Sequence, residues 1–361
     1  MQFWCTKGAG HDLKLIGSKE MDSVRRKLVL GMAAAPTLAA LGRPVFAATP
    51  TDLKISHQFP GGSATDGDFR DQLCRRFAAD LEKRTGGALK GTVYAGSSLM
   101  KTNAQFSSMR KGALDMSLVP LSYAGGEVPE TNLGLMPGIV TSYEQAAGWK
   151  KADIGKAMSD LLMDRGIVLV SWIWQAGGVA SRSVPIVDPE DAKGLKVRGG
   201  SREMDMVLKA AGAAVLTLPS NEIYAAMQTG ALDAAMTSST SLISFRLEEV
   251  AKALTTGRGK AYWFMFEPLM MSRQIFEGLP RDQQDAIIKL GADLEDFALK
   301  SAKADDVAVA GVYQKAGGKA YDLSETTVKK WQAIARDTAW KDFAGKSESC
   351  AHMLKLAEKA L

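Results

Sequence analysis

The feature that most constrains the fold is a segment that occurs twice, NAQFSSMRKGALD at 103–115 and NEIYAAMQTGALD at 221–233. The copies share an asparagine, an aromatic residue, a methionine and the run Gly-Ala-Leu-Asp at equal spacing. An aromatic residue and a methionine three positions apart lie on one face of a helix, and glycine suits a helix end. Each copy therefore predicts a helix that packs on a sheet and leads into a strand. One copy in each half indicates two similar lobes.

The polar residues that the copies share have structural roles in this interpretation. Asn103 and Asn221 stand where a side chain can cap a helix N-terminus. Asp115 and Asp233 end the two copies, just before a predicted strand. We predict that both aspartates are structural.

The elements around both copies follow the order β-α-β-α-β. Strands are predicted at 52–59, 89–95 and 114–119 in the first half, and at 195–198, 214–218 and 232–237 in the second. The apolar run GIVLVSWIW at 166–174 predicts one central strand buried on both faces. This alternation predicts an α/β fold with mostly parallel sheets and helices packed on them.

The chain becomes helical after 261–272. The segment 281–316 has no proline, and only Gly291 and Gly311 interrupt it before the glycine pair at 317–318. A single helix of over 30 residues would reach roughly 45 Å, enough to run across both lobes. Two shorter helices broken near Gly291 are the alternative.

The N-terminal region has the pattern of an export signal. A basic stretch at 25–27 precedes an apolar run at 28–41, and small residues suit cleavage just after Ala47. The twin-arginine and Sec routes both remain open. We expect a signal peptide at 21–47, preceded by an upstream extension at 1–20. No other apolar run approaches the roughly 18–20 residues that a membrane span needs.

Composition excludes some partners and leaves the cysteines open. The chain is 46% hydrophobic and 24% charged with a net charge of +5. It has no basic run interleaved with aromatic residues, so nucleic acid is not an expected partner. Cys5 lies before the signal, whereas Cys74 and Cys350 are either buried thiols or a disulfide formed in an oxidising compartment.

The sequence shows no reactive constellation of the kind that an enzyme needs. Its three histidines are His11, His57 and His352. It contains no H-E-x-x-H, paired C-x-x-C, G-x-S-x-G, phosphate-binding loop or dinucleotide fingerprint. Soft metal ligands are too few for a metal site. We therefore predict no catalytic residue, no metal and no cofactor, and we interpret His57 as structural.

Polar and aromatic residues instead cluster where the predicted strands end. Open α/β sheets bind ligands at the carboxyl ends of their strands. Those ends carry His57 and Gln58, the segment 120–123, the segment 172–175, Arg198 and the segment 237–239. The repeat places 120–121 and 238–239 at equivalent positions, so one segment of each lobe is expected to face a common cleft.

At this point the motifs resemble a known family. The order and spacing of KGALDMSLV, GLKVR, TGALDAAMT and the late helix are similar to those of the substrate-binding proteins of TRAP transporters, the DctP family. The resemblance covers the chain from about Leu53 to its end. It implies a periplasmic receptor with the two-lobe periplasmic-binding-protein fold, type II-like, and no enzymatic activity. It also implies that the lobes close on a small organic carboxylate and deliver it to a membrane permease driven by an ion gradient.

The resemblance assigns a ligand clamp. In that family the arginine of the GLK-x-R motif pairs with the ligand carboxylate, and here it is Arg198. A guanidinium can hold a carboxylate through two parallel bonds, and Gly199 and Gly200 would let backbone N–H groups approach the anion. The other predicted ligand contacts are Gln58, Ser122, Tyr123, Trp174, Gln175, Thr237, Ser238 and Ser239.

The sequence departs from the family pattern at two places. Thr237 stands where asparagine is frequent. Members that bind sialic acid carry a second arginine just after the central strand, where this chain has QAGGVAS and its nearest arginine is Arg182. A sialic acid ligand is therefore not expected.

The predicted organisation is two discontinuous lobes. Lobe I comprises 48–174 and about 264–290, lobe II comprises 175–263 and about 300–361, and a helix at 281–316 connects them. We expect a monomer. Two alternatives stay open: a periplasmic binding protein of the ABC type, and a secreted α/β enzyme that acts on a carboxylate.

Overall fold

The computed structural model describes residues 51–256, 258 and 261–360. The chain divides into two units, Met1–Ala47 and Ala48–Leu361, and every described residue lies in the second unit. The predicted upstream extension and signal peptide therefore lie outside the described residues. Across the described ranges, no helix is long and apolar enough to cross a membrane.

Strands occur throughout the described chain. In chain order they are β1 (Thr51–His57), β2 (Leu89–Tyr94), β3 (Met116–Leu118), β4 (Ile167–Ser171), β5 (Trp174–Ser181), β6 (Lys196–Arg198), β7 (Ala214–Val215), β8 (Ala234–Ser238), β9 (Ala253–Thr256), β10 (Phe264–Phe266), β11 (Leu269–Ser272) and β12 (Lys319–Asp322).

Helices connect these strands and form the C-terminal part. They are α1 (Phe69–Arg84), α2 (Gln105–Arg110), α3 (Tyr143–Trp149), α4 (Asp153–Asp164), α5 (Arg202–Ala210), α6 (Ile223–Gln228), α7 (Ser239–Ser244), α8 (Arg273–Glu277), α9 (Arg281–Asp293), α10 (Glu295–Lys315), α11 (Glu325–Ala335), α12 (Lys341–Lys346) and α13 (Glu348–Lys359). A π-helical turn at Arg336–Trp340 joins α11 to α12, and short 3-10 turns include Leu121–Ala124, Pro129–Leu135 and Ser220–Glu222.

The strands form two sheets, each with one reversed strand. The five-stranded sheet has the order β2-β1-β3-β11-β4, and β11 is antiparallel to both neighbours. The seven-stranded sheet has the order β12-β9-β5-β8-β6-β7, with β10 paired to β5, and β5 is antiparallel to β8, β9 and β10. All other strands of a sheet run in one direction. Each sheet with its helices is a lobe, and the fold is the expected two-lobe α/β architecture.

The reversed strands are the ones that cross between lobes. The chain leaves the first lobe after β4 and enters the second at β5, and it returns between β10 and β11. The two crossings meet, because Glu267 N–H donates to the carbonyl of Ile173 at 2.9 Å. The prediction of a single strand over 166–174 is therefore wrong. An unbroken apolar run cannot distinguish one buried strand from two strands in different sheets.

The repeated segment has the same architecture in both lobes. The carboxylate of Asp115 accepts from Lys54 N–H at 2.6 Å, and that of Asp233 accepts from Lys196 N–H at 2.8 Å. Each aspartate thus ties the start of its strand to the neighbouring strand, and the prediction of a structural role is confirmed.

The predicted N-caps of the repeats are not formed. No side chain caps the 3-10 turns that precede α2 and α6, so the expectation for Asn103 and Asn221 is wrong. A 3-10 turn begins each helix, which places both asparagines inside the turn and not before it. The Asn221 side chain instead accepts from Thr102 Oγ1 of the other lobe at 3.3 Å.

The predicted helix over 281–316 is two helices, α9 and α10, separated at Leu294. The two segments pack on different partners, α9 on α1 and β4, and α10 on α7 and strands of the second sheet. Helix α10 still spans both lobes. Ala298 and Ala302 belong to the apolar core of the first sheet, and Val309 and Tyr313 belong to a core of the second.

The C-terminal residues do not all belong to the second lobe. Helices α11 and α12 lie on that side, where α11 packs on α5. Helix α13 packs on α4 and on the turn Pro129–Leu135 of the first lobe. The assignment of about 300–361 to lobe II is corrected accordingly. Cys350 of α13 and Cys74 of α1 are buried and free, so they form no disulfide in this structure.

Candidate functional site

Arg198 lies at the carboxyl end of β6 and is 3% exposed. Its Nε donates to the Leu218 carbonyl at 3.0 Å, and Nη1 donates to the Met236 carbonyl at 2.7 Å. Its Nη2 donates to the hydroxyl of Tyr123, from the first lobe, at 2.9 Å. Among the described residues these are its protein acceptors, so one N–H on each terminal nitrogen has none. Two N–H groups of a buried guanidinium are thus available to a carboxylate, which can accept two charge-assisted bonds.

The glycines after Arg198 make room for the guanidinium. Gly200 has φ +97°, and a Cβ there would lie 2.7 Å from Arg198 Nη1. A Cβ at Gly199 would lie 2.4 Å from the Asp205 carboxylate. The glycines thus let two charged side chains pack closely on the backbone, which explains why the strand end reads Arg-Gly-Gly.

Tyr123 connects the two lobes at this point. Its hydroxyl oxygen accepts from Arg198 Nη2 and from Ser220 N–H, the latter at 3.0 Å. Ser122 beside it donates to the Gly200 carbonyl at 3.3 Å. The phenol oxygen therefore occupies a position between a guanidinium and a backbone N–H, two donors that also suit a carboxylate oxygen.

A cavity of about 360 Å³ adjoins these contacts and has walls from both lobes. Ser122 and Tyr123 line it from the first lobe, and Gly200, Thr217 and Leu218 line it from the second. Asp205 is buried beside it, and its carboxylate accepts from Thr217 Oγ1 at 3.0 Å. Burial raises the pKa of Asp205 to about 6, against the opposing effects of the Thr217 hydrogen bond and the Arg198 charge.

A second polar cluster surrounds Arg70, at the start of α1. Nε and Nη2 donate to the Asp68 carboxylate at 2.9 and 2.6 Å, and Nη1 donates to Glu267 at 3.0 Å. The remaining two N–H groups donate to Ser238 and Ser241 of the second lobe, at 3.3 and 3.0 Å. All five N–H groups are thus used within the protein, so Arg70 holds the lobes together and is not a free ligand clamp.

Glu267 is the partly paired member of this cluster. It is fully buried, and its Oε2 accepts from Arg70 and from the side-chain amide of Gln175. Its Oε1 has no partner among the described residues, and neither has Oε1 of Gln175. Burial raises the pKa of Glu267 to about 7, although the Arg70 charge opposes this. Burial also acts to raise the pKa of Asp68, but Arg70 outweighs it and the pKa is lowered.

Strand β8 relates the two clusters. Arg198 contacts β8 at the carbonyl of Met236, and Arg70 contacts it at the hydroxyl of Ser238. Two residues along a strand span about 7 Å. The two arginines therefore contact nearby positions on one strand.

Other residues predicted as ligand contacts have surroundings of their own. The ring of Trp174 stacks on Phe266 at 4.8 Å and contacts Trp149 at 5.1 Å. Trp174 lines a different cavity of about 290 Å³. Ser239 bonds to Asp306 of α10. Thr237 is 3% exposed within β8.

Two predicted polar residues at the end of β1 have contrasting environments. Gln58 is 1% exposed, and both atoms of its amide lack a partner among the described residues. The His57 ring is fully buried, with Nε2 3.0 Å from the Asp71 carboxylate and Nδ1 accepting from Phe59 N–H at 3.2 Å. The structural interpretation of His57 is confirmed.

The QAGGVAS segment has no room for a second arginine. A Cβ at Gly177 would lie 2.2 Å from the Thr237 carbonyl and 2.4 Å from the Trp263 ring. A Cβ at Gly178 would lie 2.2 Å from the Thr255 carbonyl. Packing therefore excludes an arginine at Gly177 and at Gly178.

Sequence reasoning missed Arg70 and Glu267. Glu267 did carry a signal, because it is the sole charge in the run AYWFMFEPLMMS at 261–272, and buried charges of this kind are paired. Arg70 had no such signal, because charged residues at the start of an amphipathic helix are usually solvated.

Two α/β lobes, joined by paired crossings and facing each other through polar strand ends, define a two-lobe solute receptor. The profile of the family described as bacterial extracellular solute-binding protein, family 7 (DctP), matches residues 61–346. A solute-binding protein of Albidiferax ferrireducens is 67% identical over 340 residues, covering 93% of this chain and 99% of the relative. The chain therefore belongs to the DctP family; it is a solute receptor and not an enzyme.

Solved structures have the same fold. A TRAP periplasmic solute-binding protein from Rhodoferax ferrireducens, crystallised with bound malonate, is 70% identical with a TM-score of 0.84. The match covers 85% of this chain and 98% of the chain in that structure.

A more distant sequence relative is the C4-dicarboxylate-binding periplasmic protein DctP of Rhodobacter capsulatus. It is 25% identical over 311 residues, which are 85% of this chain and 91% of that protein.

Proposed function

We propose that this receptor binds a small organic carboxylate in the interlobe cleft, with Arg198 as the clamp. The observation that carries the proposal is the buried guanidinium, which has on each terminal nitrogen one N–H without an acceptor in the part of the chain that the structure describes. Charge-assisted bonds of this kind contribute about 1.5–3 kcal/mol each. The malonate bound to the Rhodoferax ferrireducens relative supports the same ligand class.

Tyr123 has a defined part in this proposal. Its oxygen lies between Arg198 Nη2 and Ser220 N–H, so a ligand carboxylate binds beside it and completes the hydrogen bonds of the guanidinium. Both lobes then contribute to one ligand, and closure is stabilised because the ligand binds the closed form better than the open form. Ser122 and Gly199 shape the cleft around the carboxylate.

The proposed setting is the periplasm, with delivery to a TRAP permease driven by an ion gradient. Family membership supports this partner, and the basic and apolar pattern at 21–47 supports export and cleavage after Ala47. Intact-mass measurement of the exported protein should give a chain that begins at Ala48. A mature protein that retains 21–47 would contradict the export proposal.

A thermal-shift screen of organic acids tests the ligand class. A ligand that binds only the folded state, at a hundred times its Kd, stabilises that state by about 2.7 kcal/mol. At least one small carboxylate should raise the melting temperature, whereas amine and sugar controls without a carboxylate should not. A panel in which no carboxylate raises it would overturn the proposal.

A further inference from the structure

The cluster around Glu267 has hydrogen-bonding capacity that the protein does not use. Gln175 directs its amide nitrogen to Glu267 Oε2, which fixes its Oε1 as an acceptor. Glu267 Oε1 and Gln175 Oε1 are thus two buried acceptors without a partner among the described residues. Glu267 is fully buried and Gln175 is 1% exposed. Buried acceptors left unpaired cost about 1–3 kcal/mol each, so this position is built to receive donors.

The charges of the cluster indicate which kind of donor group could bind to these acceptors. Arg70 supplies one positive charge, and the two carboxylates of Asp68 and Glu267 supply two negative charges when both are ionised. The group then has a net charge of −1, so a further carboxylate placed here would meet repulsion. A neutral or cationic group with N–H or O–H bonds would satisfy both acceptors.

The position of the acceptors connects them to the clamp. Arg198 and the Arg70–Glu267 cluster contact β8 two residues apart, at Met236 and Ser238, which is about 7 Å. Gln175 stands on β5, the strand paired with β8. The clamp and Gln175 therefore lie on the two strands that flank β8.

Resting on the proposed carboxylate clamp, we propose that Glu267 and Gln175 form a second ligand subsite for an uncharged or cationic hydrogen-bond donor. The ligand is then a small carboxylate that carries an amide, amine or hydroxyl group at its other end. This preference would distinguish the chain from the Rhodoferax ferrireducens relative, whose bound malonate has two carboxylates.

Titration calorimetry with matched pairs on the full chain tests this inference. The pairs are malonate with its monoamide and succinate with its monoamide, measured at pH 8, above the pKa of about 7 of Glu267. The monoamide should bind at least tenfold more tightly than its dicarboxylate in at least one pair. A dicarboxylate that binds as tightly as its monoamide in both pairs would overturn the inference and leave the clamp intact. If neither acid nor amide binds, the clamp proposal fails and the subsite fails with it.

Substitutions of the two acceptors distinguish a ligand subsite from a purely structural role of these residues. Glu267→Gln presents a donor in place of the acceptor, so the preference for the monoamide should fall at least tenfold, while Glu358→Gln on the exposed face of α13 should keep it. Gln175→Met removes the second acceptor and serves as an independent variant if Glu267→Gln does not fold. An unchanged monoamide preference in a folded variant would overturn the inference.

Discussion

At the residue scale, the two buried arginines have opposite roles. Arg70 donates all five N–H groups to protein acceptors, and its guanidinium lies 3.6 Å from the centre of the Phe59 ring. Arg198 has two N–H groups without an acceptor among the described residues. The sequence predicted Arg198 because a motif surrounds it, and it gave no indication that Arg70 is buried.

We expect Arg70→Met to lower the free energy of unfolding by about 3–5 kcal/mol, because it leaves Asp68 and Glu267 buried without their cation. Urea denaturation followed by circular dichroism measures the change. The control is Arg84→Met, which removes the partly exposed ion pair between Arg84 and Asp293. It should lower the free energy of unfolding by less than about 1 kcal/mol. Equal effects of the two substitutions would show that the Arg70 network does not hold the lobes together.

At the element scale, helix α9 packs unusually close to β4. A Cβ at Gly291 would lie 2.0 Å from the Val170 carbonyl, whereas a Cβ at Gly311 in α10 would meet nothing within 4 Å. The sequence presented both glycines as equal interruptions of one helical segment. Only tertiary packing distinguishes them, and periodicity carries no information on which strand a helix touches.

These glycines form a matched pair for mutagenesis. Gly291→Ala should lower the free energy of unfolding by about 2–3 kcal/mol through overpacking. Gly311→Ala should raise it by about 0.5–1 kcal/mol, because alanine is the better helix former. Thermal unfolding of both variants measures the difference. A stabilising effect of Gly291→Ala would contradict the observed contact.

The repeat shows how far prediction from sequence reached at this scale. The repeated helices, the strands and the roles of Asp115 and Asp233 were predictable, because each depends on local spacing. The N-caps of Asn103 and Asn221 were not, because a 3-10 turn replaces the first helical turn. Nor was the division of 166–174 between two sheets.

At the scale of the whole molecule, several buried carboxylates make stability depend on pH. Burial raises the pKa of Asp205 from 3.8 to about 6, and that of Glu267 from 4.5 to about 7. An acid whose pKa is raised by folding binds more protons in the folded state than in the unfolded state. The associated stability is present at low pH and is lost as the pH rises through the folded pKa.

The ligand-free protein should therefore lose part of its free energy of unfolding between about pH 4.5 and pH 7. Urea denaturation at pH 5 and pH 8 measures this loss, which should be smaller in Asp205→Asn. Asp282→Asn, at an exposed position, should keep the dependence of the parent chain. The contrary result is a free energy of unfolding that rises from pH 5 to pH 8, by the same amount in Asp205→Asn as in the parent chain. That result would show that these carboxylates do not control the pH dependence of stability.

The two-lobe architecture itself was predictable, because the repeat and the alternation of elements specify two similar α/β units. The crossings between lobes and the return of α13 to the first lobe were not, since they depend on contacts between distant segments. Glu267 lies at such a crossing, where its N–H donates to the carbonyl of Ile173. Its pairing with Arg70 therefore depends on a contact between distant segments, although the sequence did predict Gln175 and Ser238 as site residues.

The central claim is that Arg198 holds the carboxylate of the ligand. The direct test is titration calorimetry of the parent chain, Arg198→Lys and Arg281→Lys with a carboxylate that raises the melting temperature. Lysine keeps the charge and loses the planar fork, so Arg198→Lys should weaken binding by more than tenfold, while the exposed Arg281→Lys should bind like the parent. An unchanged affinity in a folded Arg198→Lys variant would contradict the account.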